Sequence, residues 1–104
     1  MNGILLISVN SVPGILPLSL MYLKAYALTF SYIQRNYNII IESFYEKHFT
    51  NAKFKNIVER IKPIAIGFTL CVWNEEKILE VLHYVKKYNP NIITIIGGPQ
   101  ANIS

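Results

Sequence analysis

The sequence predicts an α/β fold built on an open parallel sheet. Short runs rich in isoleucine, leucine and valine alternate along the chain with longer, helix-like segments. Strands buried on both faces have such continuous apolar runs, and their alternation with helices over short linkers is typical of βαβ units. A hydrophobic fraction of 52% over 104 residues suits a small sheet covered on both sides. We therefore expect one domain, at 1–104.

The first half of the chain predicts strand, helix, strand, helix. Residues 3–9 form an apolar run of strand length, and the prolines with Gly14 make the following segment a loop. Ser19 is expected to cap a helix at 20–35 that is apolar around most of its circumference. Strand residues follow at 37–44, then a polar loop. Residues 52–62 predict a short amphipathic helix stopped by a proline.

The second half predicts strand, helix, strand. The third strand is expected at 64–69, and Asn74 is expected to cap a helix at 75–88 whose first turn is acidic. An Asn-Pro pair ends that helix, and 92–96 predicts a fully buried last strand that leads into Gly97 and Gly98. Right-handed crossovers then favour a flavodoxin-like (Rossmann-like) sheet with strand order 2-1-3-4, truncated before a fifth strand. The fourth strand is expected to be an unprotected edge.

Composition narrows the classes of partner. The net charge of +4 comes largely from lysines and arginines on predicted helices, which is more typical of solvated helix faces than of a nucleic-acid surface. An anionic partner, such as a phosphate-bearing cofactor, is compatible with it. Cys71 is the only cysteine, which fits a reducing, cytoplasmic setting. Lys24 and several prolines argue against a membrane span at 12–33, and no signal peptide is expected.

No constellation of catalytic residues is expected in this chain. Glu42 is a lone carboxylate at the end of a strand, more typical of a solvated strand end than of a general base. His48 and His83 are expected at the surface without a second metal ligand. Cys71 is more typical of a small buried hydrophobe than of a nucleophile. With Gly14 as its only glycine, the first loop is not a dinucleotide fingerprint, and a P-loop is absent from the sequence.

Three loops are expected to meet where the strands end, and they offer small, uncharged groups. Thr69 offers a hydroxyl, while Gly97 and Gly98 offer bare backbone against which a flat ligand can lie. Trp73 is equally compatible with a stacking platform and with a residue at the edge of the core. Such a rim favours a large planar ligand over a compact charged one.

The chain resembles the N-terminal cobalamin-binding domain of cobalamin-dependent radical SAM enzymes, the family of the anaerobic magnesium-protoporphyrin monomethyl ester cyclase. The resemblance covers nearly the whole sequence. It is carried by segments 4–10, 17–27, 66–69 with 73–74, and 85–90 leading to Gly97-Gly98-Pro99.

The resemblance implies a cobalamin module of a larger oxidative cyclase-like or methyltransferase-like enzyme. In related domains a Ser-x-Leu and a Gly-Gly line the pocket for the nucleotide tail; here Thr69-Leu70-Cys71 and Gly97-Gly98 hold those places. The histidine that binds cobalt in many such domains is missing from 10–15, which implies cobalamin without a protein ligand to cobalt. Gln100 stands where a histidine often follows. The implied cofactor-binding residues are Asn10, Ser11, Val12, Pro13, Gly14, Thr69, Leu70, Cys71, Trp73, Gly97, Gly98, Pro99 and Gln100.

The resemblance also implies a downstream radical SAM domain with its own iron-sulfur cluster and S-adenosylmethionine, since one cysteine cannot form that cluster motif. An alternative is a docking or dimerisation domain of the same fold that has lost cobalamin binding, with homodimers formed through the edge of the fourth strand. Small-molecule catalysis within this chain is the least favoured hypothesis. No partnership with nucleic acid or membrane is expected.

Overall fold

The computed structural model describes residues 2–10, 14, 18–69 and 75–97. Its strands are β1 (Asn2–Asn10), β2 (Tyr37–Tyr45), β3 (Ala65–Thr69) and β4 (Ile93–Gly97), and its helices are α1 (Leu18–Ala27), α2 (Ser31–Asn36), α3 (Asn51–Ile61) and α4 (Glu75–Tyr88). A short 3-10 turn occupies Glu46–His48. The strands form one sheet in the order β2-β1-β3-β4, and every neighbouring pair is parallel. The predicted α/β class and strand order are confirmed.

The main core lies between the sheet and helices α3 and α4, on what we call the α3/α4 face. Because side chains alternate along a strand, Leu5, Ile7 and Val9 of β1 all point to this face. Leu5 and Ile7 are completely buried there. The cluster also contains Phe49 and Ile92 and the buried residues of β3, α3 and α4: Phe54, Ile57, Val58, Ile66, Phe68, Val81 and Val85.

A smaller core lies on the opposite face, which we call the α1 face. Leu6 of β1, Ile39 of β2 and Leu20 of α1 are its buried members. Helices α1 and α2 therefore cover the β1–β2 half of this face. None of the described helices has the length and apolar character needed to cross a membrane.

The predicted single helix at 20–35 is wrong, because the structure breaks it into α1 and α2. At the break, the backbone N–H groups of Thr29 and Phe30 bond to carbonyls only three residues back, and the Thr29 hydroxyl also donates to the carbonyl of Tyr26 at 2.6 Å. Phe30 then adopts an extended conformation (φ −90°, ψ 120°) before α2 begins. Ser19, predicted as the cap, lies inside α1, which begins at Leu18.

The last strand was predicted to be fully buried, and this is wrong on one face. Ile93 and Ile95 of β4 are 60% and 57% exposed. They are the register partners of Ala65 and Gly67, so all four point to the α1 face. The reason is that α1 and α2 reach only the other half of that face.

Helix α3 begins at a side-chain cap. Thr50 is extended (φ −119°, ψ 157°), and its hydroxyl accepts a hydrogen bond from the backbone N–H of Lys53 at 3.2 Å. The helix ends at Ile61 and is followed by Lys62, a C-cap residue with a left-handed backbone (φ 50°) immediately before a proline. The cap sets the start of a helix whose Phe54, Ile57 and Val58 are buried in the main core.

We expect Thr50→Ala to lower the free energy of unfolding by about 1 kcal/mol, because an N–H at the start of α3 loses its partner. Urea denaturation followed by circular dichroism measures the change. Thr50→Ser is the matched control and should retain most of the stability, since serine caps as well as threonine. Equal losses in the two variants would contradict the capping role.

Candidate functional site

The strand order gives the candidate place for a ligand. The chain leaves β1 for α1 on one face of the sheet, and it leaves β3 toward α4 on the other face, as the two separate core clusters show. Strands β1 and β3 are neighbours, so their onward segments diverge and open a crevice at their carboxyl ends. Ligands of open α/β sheets bind in such crevices. Asn10 and Thr69 are the last strand residues on its two sides.

Thr69 and Gly97 are neighbours at this edge. They are register partners, and each is the last residue of its strand. Both were predicted to bind a cofactor, and the register places their backbones side by side. Because Gly97 has no Cβ, a ligand can approach the backbone of β4 closely here.

A small polar network joins β1 to β2 at the same edge. The Ser8 hydroxyl donates to the side-chain oxygen Oδ1 of Asn10 at 3.3 Å, and the side-chain nitrogen Nδ2 of Asn10 donates to the Ser43 hydroxyl at 3.2 Å. Ser8 is only 5% exposed, which is unusual for a serine. Asn10 was among the predicted binding residues, whereas Ser8 and Ser43 were missed. Their signal is a serine at paired positions of two neighbouring strands, and it becomes visible only once the Ser8–Ser43 register is known.

The strand residues named at this edge are uncharged: Ser8, Asn10, Ser43, Tyr45, Thr69 and Gly97. The charged residues Glu46 and Lys47 follow directly after β2. Hydroxyl, amide and backbone groups offer hydrogen bonds without charge. This arrangement suits a ligand rimmed by neutral hydrogen-bonding groups.

Gly14, also predicted to bind, has a left-handed backbone (φ +80°) and nothing within 4 Å of the position where a Cβ would lie. This conformation is one that glycine adopts without strain. The remaining predicted binding residues lie outside the described part of the chain: Ser11, Val12, Pro13, Leu70, Cys71, Trp73, Gly98, Pro99 and Gln100.

The ionisable residues considered from the sequence lie elsewhere. The carboxylate of Glu42 lies 3.9 Å from the Arg60 guanidinium, on the α3/α4 face. The exposed ring of His48 contacts Tyr45 edge-on at 5.2 Å between centroids. His83 is exposed on α4. Over the described ranges, no three His, Cys, Asp or Glu side chains are grouped so that they could hold a metal ion.

A second concavity lies between α3 and α4, with a volume of about 240 Å³. Its wall includes Tyr84, whose hydroxyl lies 3.5 Å from the Glu59 carboxylate and whose ring lies 5.0 Å from the Lys55 ammonium. Burial, and then the charge of Glu59, raises the pKa of Tyr84 above its ordinary value. Lys55 already covers the aromatic ring, so this cleft offers a ligand less free surface than the strand edge does.

Comparison with known proteins identifies no family. No protein-family model matches the sequence, and no curated protein matches it.

Proposed function

We propose that this chain is a cobalamin-binding module, with the corrinoid bound over the carboxyl ends of β1, β3 and β4. The observation that carries the proposal is the adjacency of Thr69 and Gly97 at the carboxyl ends of β3 and β4, next to the point where the strand order makes the segments after β1 and β3 diverge. The resemblance of the sequence to cobalamin domains of radical SAM enzymes supports the identity of the ligand.

The donor set at the edge fits cobalamin. The corrin ring is a broad, flat group rimmed by carboxamides, and carboxamides pair with neutral amides and hydroxyls. Asn10 has two N–H donors and a carbonyl oxygen with two lone pairs, so its bonds to Ser8 and Ser43 use only part of its capacity. Thr69 and Gly97 would hold the nucleotide tail. Bound cobalamin would supply a redox-active cobalt that can carry an alkyl group.

This chain's own role would be to bind and orient the cofactor. We assign it no catalytic residue. A radical SAM domain with its own iron-sulfur cluster and S-adenosylmethionine would carry out the reaction, cyclase-like or methyltransferase-like.

The proposal is tested by mixing the purified protein with hydroxocobalamin, removing free ligand by desalting and recording the visible spectrum of the protein fraction. We expect the protein to retain the colour. A colourless protein fraction would contradict the proposal for this chain.

The same spectra test how cobalt is held. His48→Ala and His83→Ala should leave the spectrum unchanged, because His48 follows β2 and His83 lies on α4, both away from the β1–β3 crevice. A band shift in His48→Ala would instead place the corrin over β2 with the imidazole on cobalt.

A docking or dimerisation domain is the second candidate function, and one observation favours it. Strand β4 is an edge of the described sheet, and parallel strands are ordinarily buried on both faces. Pairing of two β4 edges would give a dimer, which sedimentation velocity detects. A colourless protein that sediments as a dimer would favour this function over cofactor binding.

A further inference from the structure

We propose that the outer side of α1 is the contact surface of a homodimer, in which it packs against the same surface of a second copy of this chain. We call this surface the tyrosine ridge and define it by Leu18, Met21, Tyr22, Leu23, Tyr26 and Phe30. The inference does not depend on cobalamin binding, because the ridge lies on a helix and not at the carboxyl edge of the sheet.

Helix α1 is apolar on the side that faces away from the sheet. Leu20 is buried, and Lys24 and Ala27, one and two turns later, are half-buried, so this side of the helix faces the sheet. The six residues of the tyrosine ridge lie around the rest of the helix and just beyond its end, and each is between 45% and 72% exposed. A helix that covers a core with one side ordinarily has polar residues on the other. The ridge is therefore a surface that a second layer should cover.

The ridge is a continuous row of side chains along the helix. Leu18, Tyr22 and Tyr26 follow one another at i, i+4 spacing, which places them on one side of α1. Phe30 extends the row past the end of the helix, because its ring contacts that of Tyr26 edge-on at 5.3 Å between centroids. Ala25, which is also exposed, leaves a shallow groove beside the two tyrosines. Rows of this spacing pack into the grooves of a second helix in the commonest class of helix pair, at a crossing angle of about −50°.

The area of the ridge is that of a dimer interface. Taking roughly 200 Å² for each fully exposed side chain of this size, the six residues leave on the order of 700 Å² in contact with solvent. The largest apolar patch on a typical monomer covers about 300–600 Å². A standard interface buries about 800 Å² on each partner. The ridge and its immediate neighbours therefore supply the area that a stable dimer needs.

The ridge can face a copy of itself without electrostatic conflict. A twofold dimer brings identical surfaces together, so every charge on such a surface meets its own kind. None of the six residues of the ridge is charged. The hydroxyls of Tyr22 and Tyr26 both donate and accept hydrogen bonds, so they can pair with the same groups of a second copy. Tyrosine, phenylalanine and methionine are also the residues enriched at the centres of protein interfaces.

A lipid surface fits the ridge less well. Helices that lie on membranes carry lysine and arginine along their polar side, where these residues reach the headgroups. Lys24 is the only charged residue of α1, and it is half-buried on the side that faces the sheet. We therefore assign the ridge to a second copy of the chain.

Sedimentation velocity of the full chain over about 1–100 µM tests the proposal, and we expect a dimer with a dissociation constant in the micromolar range or tighter. Tyr22→Glu places a carboxylate at the most exposed position of the ridge (72%), where the two copies face each other. The dissociation constant should rise at least about tenfold. Leu79→Glu is the control: it introduces the same charge at an exposed apolar position (58%) of α4, and the dimer should be unchanged.

Leu18→Glu is a second variant that protects the test against misfolding. It replaces an exposed leucine at the first residue of α1, where a carboxylate is favourable to the helix dipole, and it should also weaken the dimer. Circular dichroism should show the wild-type fold in all three variants, because each replaced side chain is exposed.

Three results would overturn the tyrosine ridge as a dimer interface. One is a wild-type protein that stays monomeric over the whole range. Another is a dimer that persists in Tyr22→Glu and Leu18→Glu, which would place the contact elsewhere, for example at the β4 edge. The third is a monomer that co-sediments with vesicles of phosphatidylcholine and phosphatidylglycerol, which would assign the ridge to a membrane.

The outcome is distinguishable from that of the cobalamin test, because sedimentation is measured without the cofactor and the colour test without reference to the dimer. A dimer that is lost in Tyr22→Glu is not formed through β4, so it does not count toward the second candidate function.

Discussion

Phe54→Ala should lower the free energy of unfolding by about 3–5 kcal/mol, because it opens a cavity in the centre of the main core. Phe54 is 1% exposed. Its ring meets those of Phe49, Phe68 and Tyr84 at centroid distances of 6.1, 6.0 and 6.0 Å, so it joins α3 to β3 and α4. Small domains have only about 5–15 kcal/mol of stability in total. At the lower end of that range, this one substitution removes most of the stability.

Urea denaturation followed by circular dichroism measures this loss. Lys53→Ala on the same helix is the matched control: its side chain is exposed, its backbone N–H still reaches Thr50, and the change should stay within about 0.5 kcal/mol. A loss below about 1 kcal/mol for Phe54→Ala would mean that the aromatic cluster is not the centre of the core.

Gly97→Val should weaken cobalamin binding by about 5- to 150-fold, the range expected when overpacking costs 1–3 kcal/mol. By strand alternation the new side chain would point to the same face as Ile95, at the carboxyl edge beside Thr69. A branched side chain there would hold the ligand away from the backbone of β4. Gly97→Ala should show a smaller effect. Titration with hydroxocobalamin, followed by absorbance, measures the affinity.

Thr94→Val is the control for this substitution. It places the same side chain on the same strand but on the opposite face, so the affinity should be unchanged. Unchanged affinity in Gly97→Val, with circular dichroism showing an intact fold, would place the cofactor elsewhere. The related substitution Gly98→Val carries the same expectation from the sequence resemblance.

The fold was predictable because its signals are local. Runs such as Leu5-Leu6-Ile7 mark strands, the buried stripe of α3 marks a helix, and their alternation leaves few topologies. The break at Thr29 was missed because hydrophobic periodicity continues through it, while the change in hydrogen bonding at Thr29 and Phe30 leaves no mark in that pattern. Ser8 and Ser43 were missed because they become neighbours only through pairing between strands far apart in sequence.

Exposure of β4 was the least predictable feature. Its sequence, Ile93-Thr94-Ile95-Ile96, has the composition of a strand that is buried on both faces of a sheet. No local pattern shows which face of the strand is exposed. For the candidate site, the sequence resemblance predicted Asn10, Thr69 and Gly97 as binding residues. The register of β3 with β4 adds the observation that two of them are adjacent.

The position of β1 has a consequence for how the chain folds during synthesis. The most buried strand of the sheet is made first, and its second neighbour, β3, begins about 55 residues later. At ~5–20 residues per second the ribosome needs roughly 3–10 s to supply it. During that interval β1 and β2 can pair, but one edge of β1 stays open and hydrophobic, and such edges recruit other chains. Nascent chains stalled between β2 and β3 should therefore be the species that chaperones bind and that aggregate first.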